Sequence, residues 1–325
     1  MAATTGFIRT TSGSSTEAGS GLNSSRISEV FNKNFLKHAI DRLVLAELME
    51  QFDLPKNAGS MTMRFFRRGE ANADNVRDLT EGTPLTDYTH TTLETVEATL
   101  AQYGDVSKIS DTRVATDLIK QLELETARMG EEAALHHDTK IRDEIYTEMS
   151  ESANSAQLID KTGASTTTVA LEDLDKAASI LKENRAPTFA GGNYVAVVSP
   201  RQSYDLRRDS DWKNVASYSD KEKIYNGEIG KFFNVKVVEC TNAKEFTYDT
   251  SSTGVAAFVF GKEFAGTVKL SGSSSPMKPQ LLINDKPDKS DTLNQFVTVG
   301  YKFYSAAKTL NPKFGVMIKA SKTSF

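Results

Sequence analysis

Four histidines and a single cysteine are the residues of this 325-residue chain best suited to hold a metal or attack a carbonyl. Their spacing supports neither. His38 and His90 stand alone, and His136 and His137 are adjacent. On a helix adjacent rings point about 100° apart, whereas a zinc-binding helix needs histidines one turn apart on one face. All four read as structural or surface histidines. Cys240 follows Val235-Lys236-Val237-Val238-Glu239 and precedes Thr241-Asn242. A nucleophilic thiol needs a paired base and a lowered pKa. Nothing in the sequence supplies either, so a packed thiol is expected. Gly227-x-x-Gly230-Lys231 has the look of a phosphate loop, but no Ser or Thr follows, and a strand rather than a helix comes next. Glu131-Glu132 and Asp285 to Asp291 read as solvated faces among 43 acidic residues. No catalytic, cofactor-binding or metal residue is predicted, and an enzyme is the weakest of the readings weighed. One cluster has a clear contact chemistry: Arg64, Phe65, Phe66, Arg67 and Arg68. Arginine forks grip carboxylates with two parallel hydrogen bonds. The plain alternative is a solvated strand face.

The elements that carry these residues follow from periodicity. Residues 1–25 are small and polar and read as a flexible arm. Residues 26–52 carry Ile27, Val30, Phe31, Phe35, Ile40, Leu43, Val44 and Leu48 near a 3.6 period, which predicts a helix ending before Pro55. In residues 60–108, Met61, Met63 and Phe65 alternate with polar neighbours, a polar tip follows with Gly82 and Pro84, and Thr89 to Ser107 is strand-like. This predicts a long projecting hairpin. An isolated hairpin is marginal in water, so its expected cover is another subunit.

Residues 111–150 form the clearest element, with Asp111 as N-cap and an apolar stripe through Val114, Leu118, Leu122, Met129, Ala133, Ile141, Ile145 and Met149. Such a helix would run roughly 60 Å, a spine for a flat subunit. Residues 151–169 read as a linker. Leu171 to Asn184 and Arg201 to Trp212 read as helices, and Tyr194 to Val198, Val235 to Glu239 and Val255 to Phe260 as strands. This predicts a compact α/β or α+β unit. Residues 271–295 read as loop, and the end as strands around Asn311-Pro312, with Phe296 to Phe303 at period two.

Composition narrows the class. Hydrophobic residues make up 38% and charged residues 25%, ordinary for a folded chain. The net charge of -4 disfavours a protein that lives by gripping phosphates, though it permits enclosing DNA. One cysteine allows no intrachain disulfide, which fits a reducing compartment. The N-terminus has no apolar signal region, and no run reaches ~18 apolar residues, so neither secretion nor a membrane span is expected.

Arm, helix, hairpin, spine helix, α/β unit and returning strand, in that order, resemble the major capsid proteins of tailed bacteriophages, whose fold herpesvirus floor domains and bacterial encapsulin shells share. Gly227-Glu228-Ile229-Gly230-Lys231-Phe232-Phe233-Asn234-Val235-Lys236-Val237-Val238-Glu239 resembles the capsid segment entering an axial-domain strand. Tyr194 to Pro200 resembles the strand before it, and Val299 to Pro312 resembles the C-terminal strand and turn of the capsid family typified by phage N4. The resemblance covers roughly residues 26–320.

It implies an α+β capsid fold with these parts: an arm (1–25), an N-terminal helix region (26–59), an extension loop with peripheral strands (60–108), a peripheral domain with the spine helix (109–165), an axial domain (166–275) and a strand returning to the peripheral domain (276–325). It implies hexamers and pentamers of an icosahedral shell around double-stranded DNA, no cofactor, and a virion location after assembly in the host cytoplasm. The short arm and the start at Met1 imply a separate scaffolding protein; a portal at one vertex and a decoration protein are further expected partners. Arg64, Arg67 and Arg68 would then clamp a neighbour's acidic spine helix, with Phe65 and Phe66 as further inter-subunit contacts. Some capsids of this fold weld subunits through a loop lysine. No lysine occurs between Lys56 and Lys108, so no such weld is expected. An encapsulin-like compartment is the alternative.

Overall fold

The computed structural model describes residues 44–54, 59–69, 93–116, 121–162, 168–208, 231–249, 252–270, 280–284 and 295–323, with single positions between 75 and 82 and at 292–293. The arm, most of the expected first helix, His38, His90 and most of the hairpin tip lie outside the described residues.

Apolar runs built for burial on both sides form the middle of the central sheet. Its seven strands are β5 (Leu158–Asp160), β6 (Tyr194–Val198), β7 (Lys231–Phe232), β8 (Val235–Glu239), β9 (Lys244–Asp249), β10 (Ser252–Phe260) and β14 (Gly315–Ser321). They run in the order β5-β14-β10-β6-β8-β7, with β9 also paired to β10. Successive side chains leave a strand on opposite faces. Ala196 and Val198 thus join the helix Leu171–Glu183, labelled α4, through Leu174, Ala177, Ala178 and Leu181. Val195 and Val197 face the other way, toward Ile141, Ile145 and Met149 of the long helix Gln121–Met149, labelled α3. The result is helix, sheet, helix.

A second sheet has five strands: β1 (Glu50–Leu54), β4 (Ala101–Ser110), β11 (Ala265–Leu270), β12 (Gln280–Asn284) and β13 (Phe296–Thr309). Its order is β1-β11-β13-β12, and β4 pairs with β13 over ten positions, Phe296↔Ser110 to Ser305↔Ala101. Helix α3 serves both sheets. Lys308 on β13 reaches Glu144 at 2.6 Å and Glu148 at 3.4 Å, and Ser305 on β13 bonds His137.

The expected spine appears as α2 (Asp111–Thr116) and α3, whose 29 residues rise about 43 Å. Asp111 opens α2 itself: its N–H donates to Gln295 at 2.9 Å, and its carboxylate accepts from Thr112 N at 2.6 Å. Val114 and Leu122 lie on these helices, whereas Leu118 falls in 117–120, outside the described residues.

Three expectations are corrected. The helix read over 26–52 ends early: α1 is Leu45–Leu48, and Glu50–Leu54 is strand. Phe52 and Leu54 turn inward at period two, and a parallel register with β11 supplies the backbone partners a helix would otherwise make for itself. The linker read over 151–169 contains a 3₁₀ helix, Ser152–Gln157, and β5, which pairs parallel with β14. The loop read over 271–295 contains β12, paired antiparallel with β13. Nor do the sheets divide at residue 275: β11 pairs in the five-stranded sheet, and β14 in the seven-stranded one.

The turn between β7 and β8 takes a left-handed backbone without glycine. Phe233 (φ 46°) and Asn234 (φ 63°) form the two-residue link between β7 and β8, the twist that tight hairpins favour.

Candidate assembly surface

The arginine cluster lies on a two-stranded hairpin, β2 (Thr62–Arg68) with β3 (Leu93–Thr99), paired antiparallel from Thr62↔Thr99 to Arg68↔Leu93. Register sorts its side chains into two faces. Met63 and Phe65 turn inward and pack with Ala98, Leu100, Leu54, Val268 and Tyr304. Phe65 meets Phe52 edge-on at 4.8 Å. This inner face is covered by the chain's own body, which corrects the expectation that the whole hairpin finds its cover on a partner.

Arg67 also turns inward. Its Nε donates to Glu94 at 3.0 Å, and its Nη1 donates to the Leu310 carbonyl at 3.3 Å and to Asn311 Oδ1 at 3.4 Å. Its fork is therefore spent within the chain. Arg64 turns outward and holds its cross-strand neighbour Glu97 at 2.7 Å. Phe66 turns outward at 68% exposure, and Leu93, on the same face, is 64% exposed. Arg68 ends β2 and pairs with Leu93. Of the five residues singled out from sequence, the structure thus keeps Phe65 and Arg67 for the fold and presents Arg64 and Phe66.

The histidine pair sits deep in α3. His137 is buried, with Nδ1 2.9 Å from Ser305 Oγ and Nε2 without a hydrogen-bond partner among the described residues. Burial, and then the neighbouring His136, pull His137 down to about 4. Burial also lowers His136, whose ring packs 4.6 Å from Tyr103. Cys240 is buried in the core, and burial pushes its thiol up, the reverse of nucleophilic activation. Among the described residues no three His, Cys, Asp or Glu side chains converge as a metal site, and no helix is long and apolar enough to cross a membrane.

Two features escaped the sequence reading. Asp138, buried on α3, accepts from the backbone N–H groups of Val44 (2.9 Å), Leu45 (3.2 Å) and Ala46 (3.1 Å). Burial raises its carboxyl against the pull of those three donors. Its partners are more than ninety residues away in sequence, so no local pattern signals it. The second is a cavity of about 440 Å³ between α3 and the β4–β13 pair. Tyr103 and Asp105 on β4 and Tyr301 and Phe303 on β13 alternate with outward residues, a signal that period-two reading could have caught once their pairing was known.

Comparison with known proteins places this geometry. The family model described as "Phage capsid protein" matches residues 93–318. The capsid of Ralstonia phage GP4 is similar at 15% identity and a TM-score of 0.63, covering 87% of this chain and 92% of that one. The capsid of the cyanophage P-SCSP1u gives 15% and 0.64, over 86% and 89%. The holo-SrpI encapsulin complex from Synechococcus elongatus gives 10% and 0.53, over 86% and 88%. At these identities the likeness is one of fold. No curated protein matches.

Proposed function

The chain belongs to the phage capsid protein family, and from that premise we propose how its copies enclose a genome. It is a structural subunit of a phage capsid and not an enzyme. In the proposed reading, copies close as hexamers and pentamers into an icosahedral shell around double-stranded DNA. The five-stranded sheet with α3 makes the peripheral part, the seven-stranded sheet with α4 makes the axial part, and β2–β3 is the extension loop. Assembly takes place in the host cytoplasm, with a separate scaffolding protein, a portal at one vertex and a decoration protein as partners. The narrower kinship with the phage N4 type belongs to the same proposal.

One observation carries the reading: the hairpin is sealed on its inner face and turns Phe66 and Leu93 outward. Exposed apolar surface beside paired charges is the composition of an interface. Identical copies that bury such a face repeat a small contact many times, so weak terms add up over a closed shell. The net charge of -4 lets the wall contain DNA without binding it tightly.

Electron microscopy of the overexpressed full chain, with and without its scaffolding protein, tests this. Closed particles are expected, and particles from infected cells should hold nuclease-protected DNA. A folded enzyme inside instead of DNA would favour a compartment of the encapsulin kind. Monodisperse monomers at high concentration, with scaffold present, would remove the shell reading.

A further inference from the structure

The cavity between α3 and the β4–β13 pair joins aromatic rings to carboxylates. At about 440 Å³ it falls within the ~300–1,000 Å³ common for small-molecule sites. Tyr103 stands opposite Phe303 and Asp105 opposite Tyr301 across the two strands. Glu132 and His136, one turn apart on α3, line it from the other side. Tyr103 packs 5.7 Å from Phe303 and 4.6 Å from the His136 ring, which makes one wall aromatic.

Two groups in this lining stand without partners. Nε2 of His136 is buried and makes no hydrogen bond among the described residues. Burial, and then Lys140, lower the pKa of that ring, so at neutral pH it is an uncharged imidazole with an acceptor nitrogen to offer. Asp105 is exposed and has no ion-pair partner among the described residues. The chain's own cations nearby are committed. Arg128 divides between Glu125 and Glu132, and Lys140 lies over the Tyr103 ring at 5.5 Å. Burial, with Asp105 and Glu132 close by, pushes the Tyr301 phenol up to about 12, a mark of the negative character of the site.

This lining lacks a cation that donates hydrogen bonds. A metal ion does not fit, because among the described residues no three metal-ligating side chains converge. A primary ammonium does fit. It carries three N–H donors on a compact charge, it is drawn to the faces of aromatic rings, and an alkyl stem covers apolar surface.

We propose that this cavity binds a small aliphatic primary amine in its ammonium form. The N–H groups go to the Asp105 carboxylate and to Nε2 of His136, Glu132 lends a second negative charge, and the stem lies along Tyr103 and Phe303. Lys140 meets the bound amine as a like charge at the rim. Every group of the site belongs to one chain, so the proposal does not rest on the shell reading.

Calorimetric titration of the unassembled full chain at neutral pH tests it. n-Butylammonium chloride should bind once per chain with a Kd on the order of 1 mM. 1-Butanol has the stem without the charge, and tetramethylammonium has the charge without a donor. Each should bind at least about tenfold more weakly. Asp105→Asn should weaken n-butylammonium about tenfold with the melting temperature unchanged, since the side chain is exposed. Lys140→Met should tighten it, because a like charge leaves the rim. Full-strength binding to Asp105→Asn would put the amine elsewhere and overturn the site. Tetramethylammonium binding as tightly as n-butylammonium would overturn the hydrogen-bonded ammonium. Neither heat nor a rise in melting temperature with n-butylammonium at about 100 mM would overturn the proposal outright. Each of these outcomes is read on single chains and leaves the shell reading untouched.

Discussion

The helix–sheet–helix unit and the β2–β3 hairpin are both made of strands, but they finish their burial differently. In the first, β6, β10 and β14 are covered on both faces by α3 and α4, and their residues are almost wholly buried. In the second, one face is sealed by Phe52, Leu54 and Val268 and the other holds Phe66 and Leu93 in solvent. A region complete in one copy sets the stability of the subunit. In the proposed reading, a region half complete sets what the subunit does with others. Substitutions in the two should therefore separate folding from assembly.

The strongest test lies in the complete region. Phe260 is fully buried and stacks on Phe264 at 5.5 Å. Phe260→Ala should cost about 3–5 kcal/mol in denaturant unfolding of the unassembled chain. A loss under about 1 kcal/mol there would blur the contrast between the two regions.

Next comes acid. His137 joins α3 to β13 and titrates near 4 when folded, against 6.5 for the free side chain. The unfolded chain takes up the proton first, so stability is full above pH 6.5 and falls as pH drops from there to 4. The loss is about 3 kcal/mol in all. His137→Gln should flatten that slope in unfolding curves recorded between pH 7 and 4, and an unchanged slope would remove His137 as its cause.

The half-complete region should invert the pattern. Phe66→Ser should change unfolding by no more than about 0.5 kcal/mol, yet cut shell yield about tenfold by particle counting. A large loss of monomer stability instead would make Phe66 part of the subunit core. Arg64→Ala should move monomer stability by under about 1 kcal/mol, since its pair with Glu97 is exposed. The smallest effect is expected from heat and detergent. Shells boiled in denaturant should run as one monomer band, because no lysine lies between Lys56 and Lys108 to weld the loop. A ladder would show a bond made elsewhere.

The same contrast explains what the amino-acid order revealed. Tyr194 to Val198 and Val255 to Phe260 read as strands because burial on both faces demands unbroken apolar runs. Met129, Ala133, Ile141, Ile145 and Met149 read as a helical stripe because one face packs and the rest is wet. Glu50–Leu54 and Gln280–Asn284 were opaque because a distant partner, β11 or β13, makes them strands. At the hairpin, composition pointed to Arg64, Arg67 and Phe66, but not to which of them was free. Arg67 is engaged by Leu310 and Asn311, more than two hundred residues on, and no local pattern encodes that.

Asp138 ties the chain at Val44 to Ala46 into the body of α3 by three parallel bonds to one carboxylate. Tension on the polypeptide ahead of Val44 would thus load the rod at that anchor before it reached β1. Bonds in parallel share a load, so the three would resist such a pull together rather than one after another.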